Sequence, residues 1–363
     1  MTRSAPIRFH STGDEVAVRG RGGQNAAVTR TRTGRLAAGL LAAAGLLGGA
    51  TVLVGAALPG TVLAHGDEPP APAWPNVLWA WTLDPLPLLG IVAAGAGYLW
   101  LVRRVNHRHP RNRVPVGRHW AAGIALVSGA IALLSPIETY SGVLLTVHMV
   151  QHLLLQFVVA PAVLLAAPVT LVLRAAGPGM RGGLLAILHS RVVRVLTFPL
   201  LAWLVFAAVN WGWHLSSNLY DLALEMQGVH VVQHLTMFGA ALLFWFPVVG
   251  ADPGPWRLPH PVRLFYLFLA LPQNSFLGVA ITNAGNVLYP HYATVVRDWG
   301  PDPLVDQQAA GTLMWVWGDV TFLVAMLLVI VDWVLREERR NARREERLDA
   351  EAAEAARSRP AAL

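Results

Sequence analysis

Apolar runs of about 18 residues or more recur along this chain, and each is long enough to cross the hydrocarbon core of a bilayer as a helix. In lipid, every backbone N–H and C=O must be bonded within the protein, which leaves helices or closed barrels. These runs are too long and too continuous for barrel strands. The chain therefore reads as all-α, a polytopic transmembrane helical bundle. Its charged fraction agrees: 13%, against about 25% for a soluble domain.

Spans are expected near 36–64, 84–102, 119–135, 143–173, 195–213, 229–249, 264–281 and 310–335. That is seven core spans plus an N-terminal segment. The loops between them carry a strong charge bias. Of the 28 basic residues, all arginine, 27 fall in the two tails and in the alternate loops 103–118, 174–194 and 250–263. The intervening loops hold one, Arg297. By the positive-inside rule both termini are cytoplasmic and the arginine-poor loops face out. The arginines then set orientation and meet anionic inner-leaflet lipid, so the net charge of +7 is no argument for a nucleic-acid partner. A multi-pass protein of a bacterial plasma membrane is the expected setting.

The chain divides into a basic cytoplasmic tail (1–35), a signal peptide or first transmembrane anchor (36–64), a seven-span membrane domain (65–335) and a charged cytoplasmic tail (336–363). The stretch 36–64 is rich in Ala, Gly and Leu after a basic leader, and ends Val62-Leu63-Ala64, a pattern that suits cleavage or retention. Residues 143–173 are too long for one straight span, and Pro161 and Pro168 predict a kink. The tail after Asp332 reads as a mixed Arg/Glu/Ala helix with no apolar face, solvated and partly disordered.

Two spans carry nearly the same histidine pair, in Val147-His148-Met149-Val150-Gln151-His152-Leu153 and Val229-His230-Val231-Val232-Gln233-His234-Leu235. Spacing of i, i+4 puts both imidazoles of a pair on one helix face, about 6 Å apart along the axis. Imidazoles in lipid are rare and face a bundle interior or cavity. Both pairs fall in the first turns of spans that start on the outer side, and His214 follows the outer end of 195–213. A metal site built from His148, His152, His214, His230 and His234 is the leading expectation. Met226 precedes His230 by four and Met237 follows His234 by three, so they share its face. Met226, Met314 and Asp319 rank lower, as ligands or as groups that orient one. Asp319 would cost roughly 3 kcal/mol to insert if deep and charged.

With no cysteine in the chain, thiolate metal sites, iron–sulfur clusters and thiol catalysis are excluded. A thiol-free site of imidazole and thioether suits copper. Zinc is the main rival, since it accepts His and carboxylate tetrahedrally. Histidines at a water-accessible outer rim would allow an ion to pass to a docked partner by ligand exchange.

The ordered set His148-Met149-Val150-Gln151-His152, Trp213-His214 leading to Leu219-Tyr220-Asp221, His230 through His234, and Asp306-Gln307-Gln308 followed by Gly311 and Met314-Trp315 resembles the CtaG-type cytochrome c oxidase assembly factors, polytopic bacterial membrane proteins. The resemblance spans about residues 75–335. One departure is Ser216, where a proline is expected. The resemblance implies a non-enzymatic role in maturing the copper centres of a haem-copper oxidase on the outer side of the membrane. Its partners would be oxidase subunits or another copper carrier.

Three rivals stay open. A copper or zinc transporter would need polar groups through the bilayer, for which Asn210, Gln273 and Asn274 are candidates. A membrane haem protein could use facing histidines, but two pairs at one depth suggest at most one haem. A di-iron oxidase would add His-x-x-His-His motifs, which this sequence lacks.

Overall fold

A computed structural model describes residues 69–358, with side chains through Glu354; the expected segments 1–35 and 36–64 lie outside the described residues. Every regular element among them is helical. In chain order these are α1 (Pro85–Arg108), α2 (Val116–Leu134), α3 (Pro136–Ser141), α4 (Leu145–Leu154), α5 (Ala160–Ala166), α6 (Pro168–Ala175), α7 (Pro178–Leu188), α8 (Arg191–Leu196), α9 (Pro199–Leu215), α10 (Ser217–Glu225), α11 (Gln227–Val249), α12 (His260–Thr282), α13 (Pro290–Thr294) and α14 (Pro303–Ser358). A short 3₁₀ turn, Asn76–Trp79, precedes α1.

Among the described residues, six stretches are long and apolar enough to cross a membrane: α1, α2, Leu145–Ala175, α11, α12 and α14. The seventh expected span is α9, apolar but only 17 residues long, still within the range of about 17–25 that spans a bilayer. The long third span is interrupted as its prolines predict. A π-helical turn, Leu155–Val159, joins α4 to α5. Ala167 then takes a left-handed conformation, φ 54°, and Pro168 starts α6. The first N–H groups of α6 are satisfied from another loop: Asp252 accepts from the Val169 and Thr170 N–H at 3.2 and 2.7 Å and from the Thr170 hydroxyl at 2.6 Å.

Between helices in lipid there is little hydrophobic driving force, so close packing of small residues decides which ones meet. α12 and α14 touch through glycine. A Cβ on Gly278 would sit 2.8 Å from the Gly311 carbonyl oxygen, and one on Gly311 2.8 Å from that of Gly278. One end of the bundle interior is filled by interlocking rings of Phe157, Phe206, Phe244, Trp245 and Phe322. Phe206 and Phe244 are 4.5 Å apart and Phe157 and Phe322 5.3 Å, centroid to centroid. Beyond them, Arg104 and Arg108 donate to the Ala175 carbonyl at the end of α6. The arginine-rich end therefore lies opposite the end where α4 begins.

One expected boundary is corrected here. The last helix begins at Pro303, not near 310, because Asp302 caps it by accepting from the Leu304 N–H at 2.9 Å. The charged tail continues that helix to Ser358; ion pairs between Arg336 and Asp332 and between Arg340 and Glu337 suit a solvated helix with no apolar face.

Candidate metal centre

Three helices converge on the five histidines. α4 carries His148 and His152, and α11 carries His230 and His234. Both helices begin at the same end of the bundle, each three residues before its first histidine, which sets the two pairs at one depth. α9 runs the other way and ends here, bringing His214 next to its last residue.

The rings of His148, His152, His234 and His230 form a closed circuit, with successive centroid separations of 4.3, 5.2, 4.2 and 5.3 Å. His214 joins at the His152 corner, 6.1 Å away. Donor atoms of His148, His230 and His234 all lie within 4.8 Å of one another. His148, His152 and His214 are 0%, 2% and 3% exposed, so the expected water-accessible rim is instead a covered cluster.

The cover is built from tyrosines on segments between the spans. Tyr220 of α10 lies 5.4 Å from the His148 ring and 5.8 Å from that of His214. The Tyr289 hydroxyl donates to the His214 carbonyl at 2.9 Å. The Tyr292 hydroxyl lies 3.0 Å from the Ser141 carbonyl oxygen and 3.1 Å from His148 Nδ1. Burial holds the phenols of Tyr220, Tyr289 and Tyr292 above their ordinary range, so each keeps its proton.

These contacts assign the imidazole protons. A carbonyl oxygen can only accept. Tyr292 therefore donates to Ser141, and its oxygen accepts the proton of His148 Nδ1. His148 Nε2 is left with a lone pair and accepts from His152 Nε2 at 2.9 Å. His152 Nδ1 is then bare. By the same reasoning, His214 Nδ1 donates to the Asn210 carbonyl at 2.7 Å, leaving Nε2 bare. His152 Nδ1, His214 Nε2 and His234 Nε2 are all buried without a hydrogen-bond partner. A ring N–H tied to a carbonyl with the other nitrogen exposed to the site is the arrangement of metal-ligating histidine.

The family of cytochrome c oxidase caa3 assembly factors (Caa3_CtaG) matches residues 96–336. The chain belongs to this family. All five histidines and Tyr220, Tyr289 and Tyr292 fall inside the matched stretch of this Caa3_CtaG protein. Uncharacterized proteins of Mycobacterium bovis and Mycobacterium tuberculosis are each 31% identical to it over 295 residues, covering 77% of this chain and 43% of their own. An uncharacterized protein of Mycobacterium leprae is 29% identical over 297 residues, covering 78% and 44%. The chain thus spans less than half the length of these curated relatives. No solved structure matches it.

The other predicted residues of this chain do not join the circuit of rings. Met226 is not on the α11 face. It is the extended residue before the helix, φ −118° and ψ 109°, and 53% exposed. Met314 is buried in an apolar cluster with Leu145, Met149, Tyr220 and Tyr289, against the site. Met237 packs with Trp213 and Ala223. Asp319 was expected near the outer end of its span as a partner for an imidazole. With α14 starting at Pro303, it lies about 20 Å along the helix beyond Asp306. There its carboxylate accepts from Asn274 Nδ2 at 3.1 Å and the Ser275 hydroxyl at 2.6 Å.

The motif Asp306-Gln307 has a structural job that sequence reading did not assign. Asp306 accepts from the Leu145 and Thr146 N–H at 2.6 and 3.3 Å, capping the histidine helix α4 from across the bundle. Gln307 accepts from the Leu288 N–H at 2.6 Å and donates to the Asn286 carbonyl at 3.2 Å, fixing the segment that carries Tyr289 and Tyr292. Next to the site, Gln151 of α4 donates to Glu138 of α3. Burial, with the nearby Asp84 charge adding to it, pushes the Glu138 carboxyl up to about 7 against the opposing effect of the Gln151 hydrogen bond.

Proposed function

We propose that this assembly factor handles copper as cargo: it takes up the ion in the histidine cluster and passes it to a haem-copper oxidase under construction. The observation that carries this reading is the gathering of five imidazoles from three helices, with three of their nitrogens buried and unpartnered. Isolated buried lone pairs are costly unless something binds them. His148, His230 and His234 are the nearest set of donors, with His152 and His214 adjoining. An all-nitrogen site with thioethers close by suits copper in either oxidation state. Zinc would also accept the imidazoles but has no use for the soft neighbours Met149 and Met314.

In this reading the protein does no bond chemistry. Its residues hold the ion, keep water from it and release it when a partner moves the tyrosine cover. The charge bias of the loops supports reading the cluster at the outer face of a bacterial plasma membrane, with both termini inward, where the copper centres of an oxidase are completed. Partners would be oxidase subunits or another copper carrier.

The test is a strain lacking this protein, complemented with wild type or with His148→Ala/His152→Ala at equal membrane abundance. The proposal predicts that oxidase from the variant strain is copper-deficient and that the wild type restores it. Copper-replete oxidase in the variant strain would overturn the proposal.

A further inference from the structure

Five imidazoles exceed the four ligands of a tetrahedral shell, and their proton arrangement divides them. We propose that the cluster contains two adjoining copper positions rather than one, an inference that rests on the copper reading above. The first is bounded by His148, His230 and His234, whose donors lie within 4.8 Å of one another. The second lies between His152 Nδ1 and His214 Nε2.

The second position follows from which nitrogens are bare. His214 Nδ1 is held as a donor by the Asn210 carbonyl, so its Nε2 has a fixed lone pair. His152 Nε2 is held as a donor by His148, itself fixed by Tyr292 and Ser141, so His152 Nδ1 also carries a lone pair. Both atoms are buried and without a hydrogen-bond partner, on rings 6.1 Å apart and at 89° to each other. Neither His152 nor His214 belongs to the close trio.

One hydrogen bond makes the two positions unequal, and their charges couple them. An ion at the second position leaves the His152–His148 bond intact. An ion at the first uses the His148 Nε2 lone pair and strands the His152 Nε2–H. The first position therefore carries that cost by itself, and two cations in adjoining buried positions repel, so filling one weakens the other, roughly tenfold or more. Such negative coupling gives a cargo protein a way to release: an ion arriving at one position loosens the ion already at the other.

The experiment is a Cu(I) titration of the detergent-solubilised full chain against a chromophoric competitor, with metal content of the saturated protein by mass spectrometry. Wild type should saturate at two ions per chain in two unequal steps. His214→Asn keeps a side-chain N–H for the Asn210 carbonyl while removing Nε2; it should lose one step and keep the other. His230→Ala should lose the complementary step. Wild type saturating at one ion, or His214→Asn still binding two, overturns the two-position proposal and leaves single-site copper handling standing. A wild type that takes up no copper overturns both.

Discussion

The Nε2 atoms of His148 and His152 lie 2.9 Å apart, and the Tyr292 hydroxyl decides which of them carries the proton between them. Because Tyr292 donates to the Ser141 carbonyl, it can only accept from His148 Nδ1. A residue more than a hundred positions away in sequence thereby orients the first imidazole of the cluster.

Tyr292→Phe should lower copper affinity about 10- to 100-fold, the usual effect of removing an outer partner of a metal-binding histidine. Membrane insertion and the helical signal should not change, since the ring still fills its place. Competition titration against a Cu(I) chelator measures the affinity. Unchanged affinity would mean that His148 is held by its helix alone.

Asp306→Ala leaves the first N–H groups of α4 uncapped and buried. Hydrogen bonds to a charged group contribute about 1.5–3 kcal/mol each, so the thermal midpoint in detergent should fall by several degrees, with copper binding weakened alongside. Asp306→Asn, which keeps one acceptor, should recover part of both. Equal losses in the two variants would contradict the capping role.

Gly278→Leu should break the α12–α14 seam, because a Cβ there meets the Gly311 carbonyl at 2.8 Å and the Trp315 Cβ at 2.7 Å. Gly123→Leu is the control, since nothing lies within 4 Å of its Cβ position. Size-exclusion chromatography of the purified proteins should show the first as aggregated or absent and the second as wild type.

Glu138 gives a pH dependence of known sign. Its carboxyl is pushed up to about 7 in the folded protein, above its value in an unfolded chain. Between the two values the unfolded chain releases a proton that the folded one keeps, so stability falls as pH rises through that window. Thermal midpoints should decline from about pH 5 to about pH 8. Glu138→Gln, which can still accept from Gln151, should flatten the decline and be the more stable protein at the upper end. A decline of equal slope in the variant would assign it to another group.

The spans and the two histidine pairs were legible because they rest on local periodicity: apolar runs of bilayer length, and imidazoles four residues apart on one helix face. His214 could be placed at the same end because α9 is short and runs opposite to α4 and α11. The tyrosine cover could not be read, since Tyr220, Tyr289 and Tyr292 reach the histidines only through the return of short segments between spans. Met226 was misplaced by one residue of helix boundary, which turns a face position into an exposed, extended one. Asp319 was misplaced by seven residues of helix start, about 10 Å of rise, and lies about 20 Å along the helix from where Asp306 caps α4.

Metal content of the detergent-purified protein, taken with an optical spectrum on the same sample, tests the central claim most directly. Wild type loaded with Cu(I) and then desalted should retain copper and show no haem band, and the His148→Ala/His152→Ala variant should lose most of that copper while remaining a monodisperse membrane protein. Equal copper in the two proteins, none in the wild type after loading, or a haem spectrum would contradict the copper-handling account.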